Sequence, residues 1–126
     1  MRVPILRLGD ILLASIQEDL TDHDAIQFQS DLANTMSRTD ANGVVIDISA
    51  LDVVDSFLAR ILNDTASIVL LLGGEAVICG MQPAVAVTLI EMGRELLGVQ
   101  TALNLQQGME KLKDLLAARE EALNGE

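Results

Sequence analysis

Two short apolar runs, Val44–Ile48 and Ala76–Cys79, constrain this chain more than any other feature. The first is almost wholly β-branched, with Asp47 as its only polar member, and a continuous run of this kind is how a strand buried on both faces is written. Between them, Phe57, Leu58, Ile61, Leu62, Thr65, Ile68, Val69 and Leu72 recur at helical spacing. Asp55-Ser56 stands before that helix, and Gly73-Gly74 follows it as a stop that tolerates a left-handed backbone. A strand, a crossover helix and a second buried strand predict parallel pairing with helices packed on the sheet.

The flanking segments extend the pattern. Pro4–Leu8 and Ile11–Ile16 are joined by Gly9-Asp10, a Gly-first connection suited to a type II′ hairpin, so the sheet should open with an antiparallel pair. Ala25, Phe28, Leu32 and Met36 mark an amphipathic helix capped by Thr21 or Asp22 and ending near Arg38. After Gly80-Met81-Gln82, Pro83 suits the first turn of another helix running through Val87 and Leu89 toward Met92. Beyond Gly93, Val99–Ala102 is a candidate edge strand. Asn104 with Gln107 resembles a capping box ahead of a last helix marked by Leu105, Met109, Leu112 and Leu116. The expected class is α/β: a mixed, mostly parallel sheet with an N-terminal antiparallel hairpin and about four helices. At 126 residues a single domain over 1–126 is expected, with the tail from about Ala117 frayed.

Composition narrows the function. The formal net charge is −11, so the chain repels phosphate backbones, and neither nucleic acid nor an anionic membrane is an expected partner. The longest apolar run, Ile68–Leu72, is far short of the roughly 20 residues a span needs, and Met1–Pro4 has no apolar leader. A cytoplasmic protein is expected. One Cys and one His offer neither a disulfide nor a zinc cluster. No G-x-G-x-x-G, P-loop or G-x-S-x-G motif is present, so no cofactor is expected and no catalytic residue stands out. His23 reads as a surface residue of a first helical turn, and Cys79 as a buried thiol without a basic neighbour. Asp47 ends a strand, where ligands of open α/β sheets tend to sit. A phosphoacceptor receiver domain would also need an acidic pair after its first strand and a late-sheet Lys. Here the lysines, Lys111 and Lys113, both fall in the last helix, and Asp47 reads as a cap for the loop that follows.

The sharpest local feature is Asp52-Val53-Val54-Asp55-Ser56-Phe57-Leu58. Ser56 falls where a loop becomes a helix, beside unpaired backbone N–H groups. Asp55 or Ser56 would serve as N-cap. Phosphorylation of Ser56 is the functional alternative: the helix start would welcome a phosphoryl group, while Asp52 and Asp55 would repel it.

The segment Val44-Val-Ile-Asp-Ile-Ser-Ala-Leu-Asp-Val-Val-Asp-Ser56 resembles the central signature of the STAS domains, the sulfate-transporter and anti-sigma-factor-antagonist family. More narrowly, Asn42–Asp47, Asp55-Ser56-Phe57 and Gly80–Glu91 resemble the RsbS branch of that family, small proteins of the bacterial stressosome, over a stretch from Pro4 to about Leu116. The resemblance implies a STAS-type fold and a non-enzymatic scaffold. Such a scaffold, with RsbR-like paralogues, builds a homo- and hetero-oligomeric shell that sequesters an RsbT-like serine kinase. Phosphorylation releases the kinase, and an RsbX-like phosphatase resets the system. Ser56 is the position that matches the family's phosphorylated serine, and Thr88 lies where RsbR-like chains have a second acceptor, although a helical Thr among Ala84, Val85 and Val87 reads more simply as packing. The expected partner surface is Asp52, Asp55, Ser56, Phe57 and Leu58. Two alternatives are a STAS-type anti-sigma-factor antagonist and a module holding a nucleotide or other anion at the Ser56 helix N-terminus.

Overall fold

In the computed structural model, residues 2–91 and 99–125 are described. The elements run β1 (Ile5–Leu8), β2 (Ile11–Ser15), α1 (Asp22–Thr39), β3 (Gly43–Asp47), α2 (Ser56–Leu71), β4 (Glu75–Cys79), α3 (Pro83–Glu91), β5 (Gln100–Ala102) and α4 (Leu105–Asn124). The five strands lie in sequence order, β1 antiparallel to β2 and every later pair parallel. This is the mixed, mostly parallel α/β sheet that the apolar runs predict. Met92, toward which the third helix was expected to run, and Gly93 lie outside the described residues.

Local chemistry accounts for the element boundaries. Leu8 pairs with Ile11 across the hairpin; Gly9 has φ +65° and Asp10 does not share the positive sign, the combination a II′ turn requires. Thr21 and Asp24 form a reciprocal capping box at the start of α1, and Asp40 ends it in the left-handed region, which a short polar side chain tolerates. α2 closes with paired bonds from Gly73 N to Leu70 O and from Gly74 N to Val69 O. Gly73, at φ +89°, occupies the left-handed position of this Schellman motif.

The sheet has two unequal coats. Leu12, Ala14, Val44, Ile46, Ala76 and Ile78 turn one way and pack with Phe28 and Leu32 of α1, Leu62, Ala66 and Val69 of α2, and Val85 and Leu89 of α3. The alternate residues Ile11, Val45, Val77 and Cys79 turn the other way, against Leu112 of α4. All four residues that marked the first helix, Ala25, Phe28, Leu32 and Met36, are buried. In α4, Leu112 is fully buried and Met109 and Leu116 are half-buried, but Leu105 in the first turn is exposed. Its N-cap is Asn104, whose Oδ1 accepts from Gln107 N at 2.8 Å.

Two glycines let α4 and the strands approach closely. A Cβ on Gly108 would stand 3.0 Å from Cys79 Cβ and 3.2 Å from Val45 Cγ1, and one on Gly43 would stand 2.8 Å from the backbone oxygen of Glu75. Where fraying was expected beyond Ala117, α4 is helical to Asn124. Ala117, Ala118, Glu120, Glu121 and Ala122 are strong helix formers. Arg119 Nη2 also donates to Gly73 O at 2.7 Å, and its Nη1 lies 3.8 Å from Glu75 Oε1. Among the described residues no helix is long and apolar enough to cross a membrane.

Candidate functional site

Parallel pairing places the loops that follow β2, β3 and β4 at one end of the sheet, and the loop from β3 to α2 carries Ser56. Its course is set by backbone bonds first: Ile48 N donates to Cys79 O and Leu51 N to Ile48 O, both at 3.0 Å. Asp47 accepts from Ser49 N at 2.9 Å through Oδ1, the capping role its position predicts. Gly80, at φ +78°, runs so close beneath the turn that a Cβ there would stand 2.7 Å from Ser49 Cβ. Gln82 Nε2 then donates to Ser49 O at 2.9 Å, tying the start of α3 to the same turn.

The rest of the loop is pinned by burial. Leu51 and Val54 insert into the core, while Asp52, Val53 and Asp55 face out. Asp55, at φ −84° and ψ 176°, is the N-cap of α2, and its Oδ1 accepts from Leu58 N at 2.8 Å. This decides between the two capping candidates. Ser56 is the first helical residue and exposed, and its hydroxyl is not used to cap the helix.

The surface around Ser56 differs from expectation at one residue. Leu58, expected to share an exposed contact, is 8% exposed and belongs to the core, because the third residue of this helix turns toward the sheet. Val53, 71% exposed, is the apolar side chain the loop offers instead, beside the half-buried Phe57. Between the starts of α1 and α2 lies a cleft of about 170 Å³ lined by Asp19, Leu20, Asp22, Val53, Asp55 and Phe57, among others. Asp19 and Leu20 were not singled out from sequence, and Asp22 was read only as a cap candidate for α1, a role that Thr21 takes. The usable signal was the parallel neighbourhood of β2 and β3, which obliges their following loops to meet.

The remaining candidates are placed apart from Ser56 or engaged elsewhere. Thr88 is half-buried and its Oγ1 donates to Ala84 O at 2.8 Å within α3. His23 is exposed in the first turn of α1. Cys79 is fully buried, and burial, with the nearby Asp47 carboxylate second, pushes its thiol up to about 11. Among the described residues no three His, Cys, Asp or Glu side chains gather as a metal site would require.

The fold, with its hairpin opening and mostly parallel sheet, is shared with known proteins. Residues 2–107 match the STAS domain family. The chain is a STAS-domain protein. An RsbS of Moorella thermoacetica, solved as a serine-to-glutamate variant, superimposes with a TM-score of 0.82 at 47% identity, over 91% of this chain and 97% of that one. A chain from the molecular architecture of the stressosome, described as a signal integration and transduction hub, gives a TM-score of 0.77 at 48% identity, over 90% of this chain and 98% of that one. RsbRA of Bacillus subtilis, named as an RsbT co-antagonist protein, is 29% identical over 68% of this chain. The present STAS domain spans 31% of RsbRA's length. The chain is thus an RsbS-like STAS domain by fold and by sequence.

Proposed function

We propose that this STAS domain is a non-enzymatic scaffold of a stressosome-type assembly, which holds an RsbT-like serine kinase and releases it once Ser56 is phosphorylated. The observation that carries the reading is the division of labour at the start of α2. Asp55 caps the helix, so Ser56 is spared for chemistry, exposed at the start of α2 after a loop that Leu51 and Val54 anchor in the core. In the transfer, the Ser56 oxygen bonds to the γ-phosphorus of ATP, the bond to the β-phosphate oxygen breaks, ADP leaves, and the hydroxyl proton is lost. An RsbX-like phosphatase reverses the state by hydrolysis.

The surroundings suit a protein partner better than an anion. The cleft between the starts of α1 and α2 is lined by apolar Leu20, Val53 and Phe57 and by acidic Asp19, Asp22 and Asp55. A nucleotide phosphate would meet those carboxylates at a cost, which weighs against the anion-binding alternative. A basic and aliphatic kinase surface would bury its stems against the apolar side chains and pair its charges with the carboxylates. Adding a phosphate next to two aspartates does not by itself reverse attraction to a basic patch. Release therefore comes from forcing a doubly charged group into a contact that was partly apolar, with a desolvation penalty of a few kcal/mol. The similarity to RsbS, to a stressosome chain and to RsbRA supports an assembly with RsbR-like paralogues.

Incubation of the purified protein with an RsbT-like kinase and ATP, followed by peptide mass spectrometry, tests the reading. A phosphate on Ser56, and its absence in Ser56→Ala, is the expected result. A kinase that binds the protein yet leaves Ser56 unmodified refutes it.

A further inference from the structure

Two of the five asparagines, Asn42 and Asn124, are followed by glycine. Asparagine is a chemically labile residue, and a following glycine, with no Cβ, leaves its backbone nitrogen free to attack the asparagine side chain. In that reaction the glycine nitrogen bonds to the asparagine Cγ, the Cγ–Nδ2 bond breaks, and ammonia leaves with the proton given up by the glycine nitrogen. Water then opens the cyclic imide to aspartate or isoaspartate. Both asparagines are exposed, so access of water does not separate them. Hydrogen bonding does.

Asn42 is held from several directions. Its N–H donates to Asp10 O at 2.7 Å, its main-chain oxygen accepts from Glu75 N at 3.0 Å, and its Nδ2 donates to Asp10 Oδ2 at 3.1 Å. Gly43 is buried, paired with Ile11 of β2 on one side and with Glu75 of β4 on the other. The ring closes only if the Asn42 side chain leaves Asp10 and Gly43 N swings out of the ladder. Leu112 of α4 opposes that movement, packed so near that a Cβ on Gly43 would stand 2.7 Å from its Cδ1. Asn124 is instead the last residue of α4, where helices fray. Its glycine, Gly125, lies outside any sheet, with its N–H on Glu121 O at 2.7 Å.

We propose that both Asn-Gly pairs are sites of spontaneous deamidation, Asn124 in the folded protein and Asn42 only when the start of β3 leaves its place between β2 and β4. The two products differ in consequence. At Asn124 a carboxylate joins an exposed helix end. At Asn42 an amide that donates becomes a carboxylate that only accepts, 3.1 Å from Asp10 Oδ2. A bond tying the hairpin turn to β3 is thereby turned into a like-charge contact. The isoaspartate product also adds a methylene to the backbone immediately before β3. A chain that reacts at Asn42 while open is hindered from closing again, so part of the opening becomes irreversible. The site lies before β3, whereas Ser56 follows the other end of that strand, and the proposal is independent of the scaffold reading.

Incubation of the protein in mildly alkaline buffer, with and without denaturing urea, followed over time by peptide mass spectrometry, is the test. In the folded protein the Asn124 peptide is expected to convert from amide to acid. The Asn42 peptide is expected to convert at least about tenfold more slowly than it does in urea, where opening no longer limits it. In urea the two peptides are expected to react at similar rates. Folded-state reaction of Asn42 at its urea rate, or of Asn124 no faster than Asn42, overturns the proposal. The consequence at Asn42 is read from substitutions. Asn42→Asp, which writes the product into the chain, is expected to lower the urea midpoint. Adding Asp10→Asn is expected to recover it, because donor and acceptor then exchange places. A midpoint unchanged in Asn42→Asp, or not recovered in the pair, overturns the claim that reaction there hinders closing.

Discussion

Gln82 Nε2 lies 2.9 Å from the main-chain oxygen of Ser49, and through this bond the residue that leads into α3 holds the loop that presents Ser56. The bond joins two loops that are 33 residues apart in sequence and share only the end of the sheet. Gln82→Ala is expected to lower stability by about 1 kcal/mol. It should also raise amide exchange across residues 49–55 more than across β3. Equal exchange in both would show that Leu51 and Val54 alone fix the loop.

Asp55 and Ser56 are adjacent but do different work, so their alanine variants should separate. Asp55→Ala removes the cap of α2 and is expected to cost about 1 kcal/mol in urea denaturation. Ser56→Ala is expected to stay within about 0.5 kcal/mol of wild type while holding the kinase irreversibly, and Ser56→Asp is expected to weaken that hold. A large stability loss in Ser56→Ala would make the hydroxyl structural.

Gly43 and Gly108 both face α4 contacts, yet only one should resist change. A Cβ on Gly43 would press on the Glu75 backbone at 2.8 Å, which cannot move without breaking the sheet. Gly43→Ala is expected to cost about 1–3 kcal/mol. At Gly108 the nearest atoms are side chains at 3.0 and 3.2 Å. Alanine there gains close to 1 kcal/mol of helix propensity, so the net change should be smaller. Chemical denaturation of both variants compares them directly.

Cys79 ties stability to alkaline pH. Its folded thiol titrates near 11 against an ordinary 9.0, raised by burial and then by the Asp47 carboxylate. Between those values the unfolded chain has released the proton and the folded chain retains it. Stability is therefore expected to be unaffected below about pH 9 on this account and to fall as pH rises from there toward 11. Ellman-type thiol reaction of the native protein at pH 8 should be slow and limited by unfolding; rapid reaction would show the thiol accessible.

Salt tests how the proposed kinase partner would be held. An ionic anchor at Asp19, Asp22, Asp52 and Asp55 would weaken steeply as the Debye length shrinks from about 10 Å at 0.1 M to about 3 Å at 1 M. With Val53 and Phe57 in the contact, affinity for the unphosphorylated protein is expected to survive that change largely intact. A collapse would make these carboxylates the dominant anchor.

Most of the architecture was legible because apolar period and strand burial are local signals. Ala25, Phe28, Leu32 and Met36 declare one face of α1, and Val44–Ile48 declares a strand covered on both sides. The place of Ser56 at a loop-to-helix junction was legible for the same reason, whereas its reading as a phosphoacceptor came from the family resemblance. The surroundings of Ser56 were not. Burial of Leu58 and exposure of Val53 depend on the rotation of α2 against the sheet, and the approach of Asp19 and Asp22 depends on which strands are neighbours. Choosing Asp55 over Ser56 as the cap needed backbone angles, since both side chains suit the role.

The bond from Arg119 to the carbonyl of Gly73 fixes the far part of α4 beside the C-terminal end of α2. Ser56 opens α2 at its other end, sixteen residues or about 24 Å away along the axis. A fluorophore or affinity handle attached at the last turn of α4 therefore sits on the opposite pole of the molecule from the serine. It can report on the chain or immobilise it without crowding an enzyme that works there.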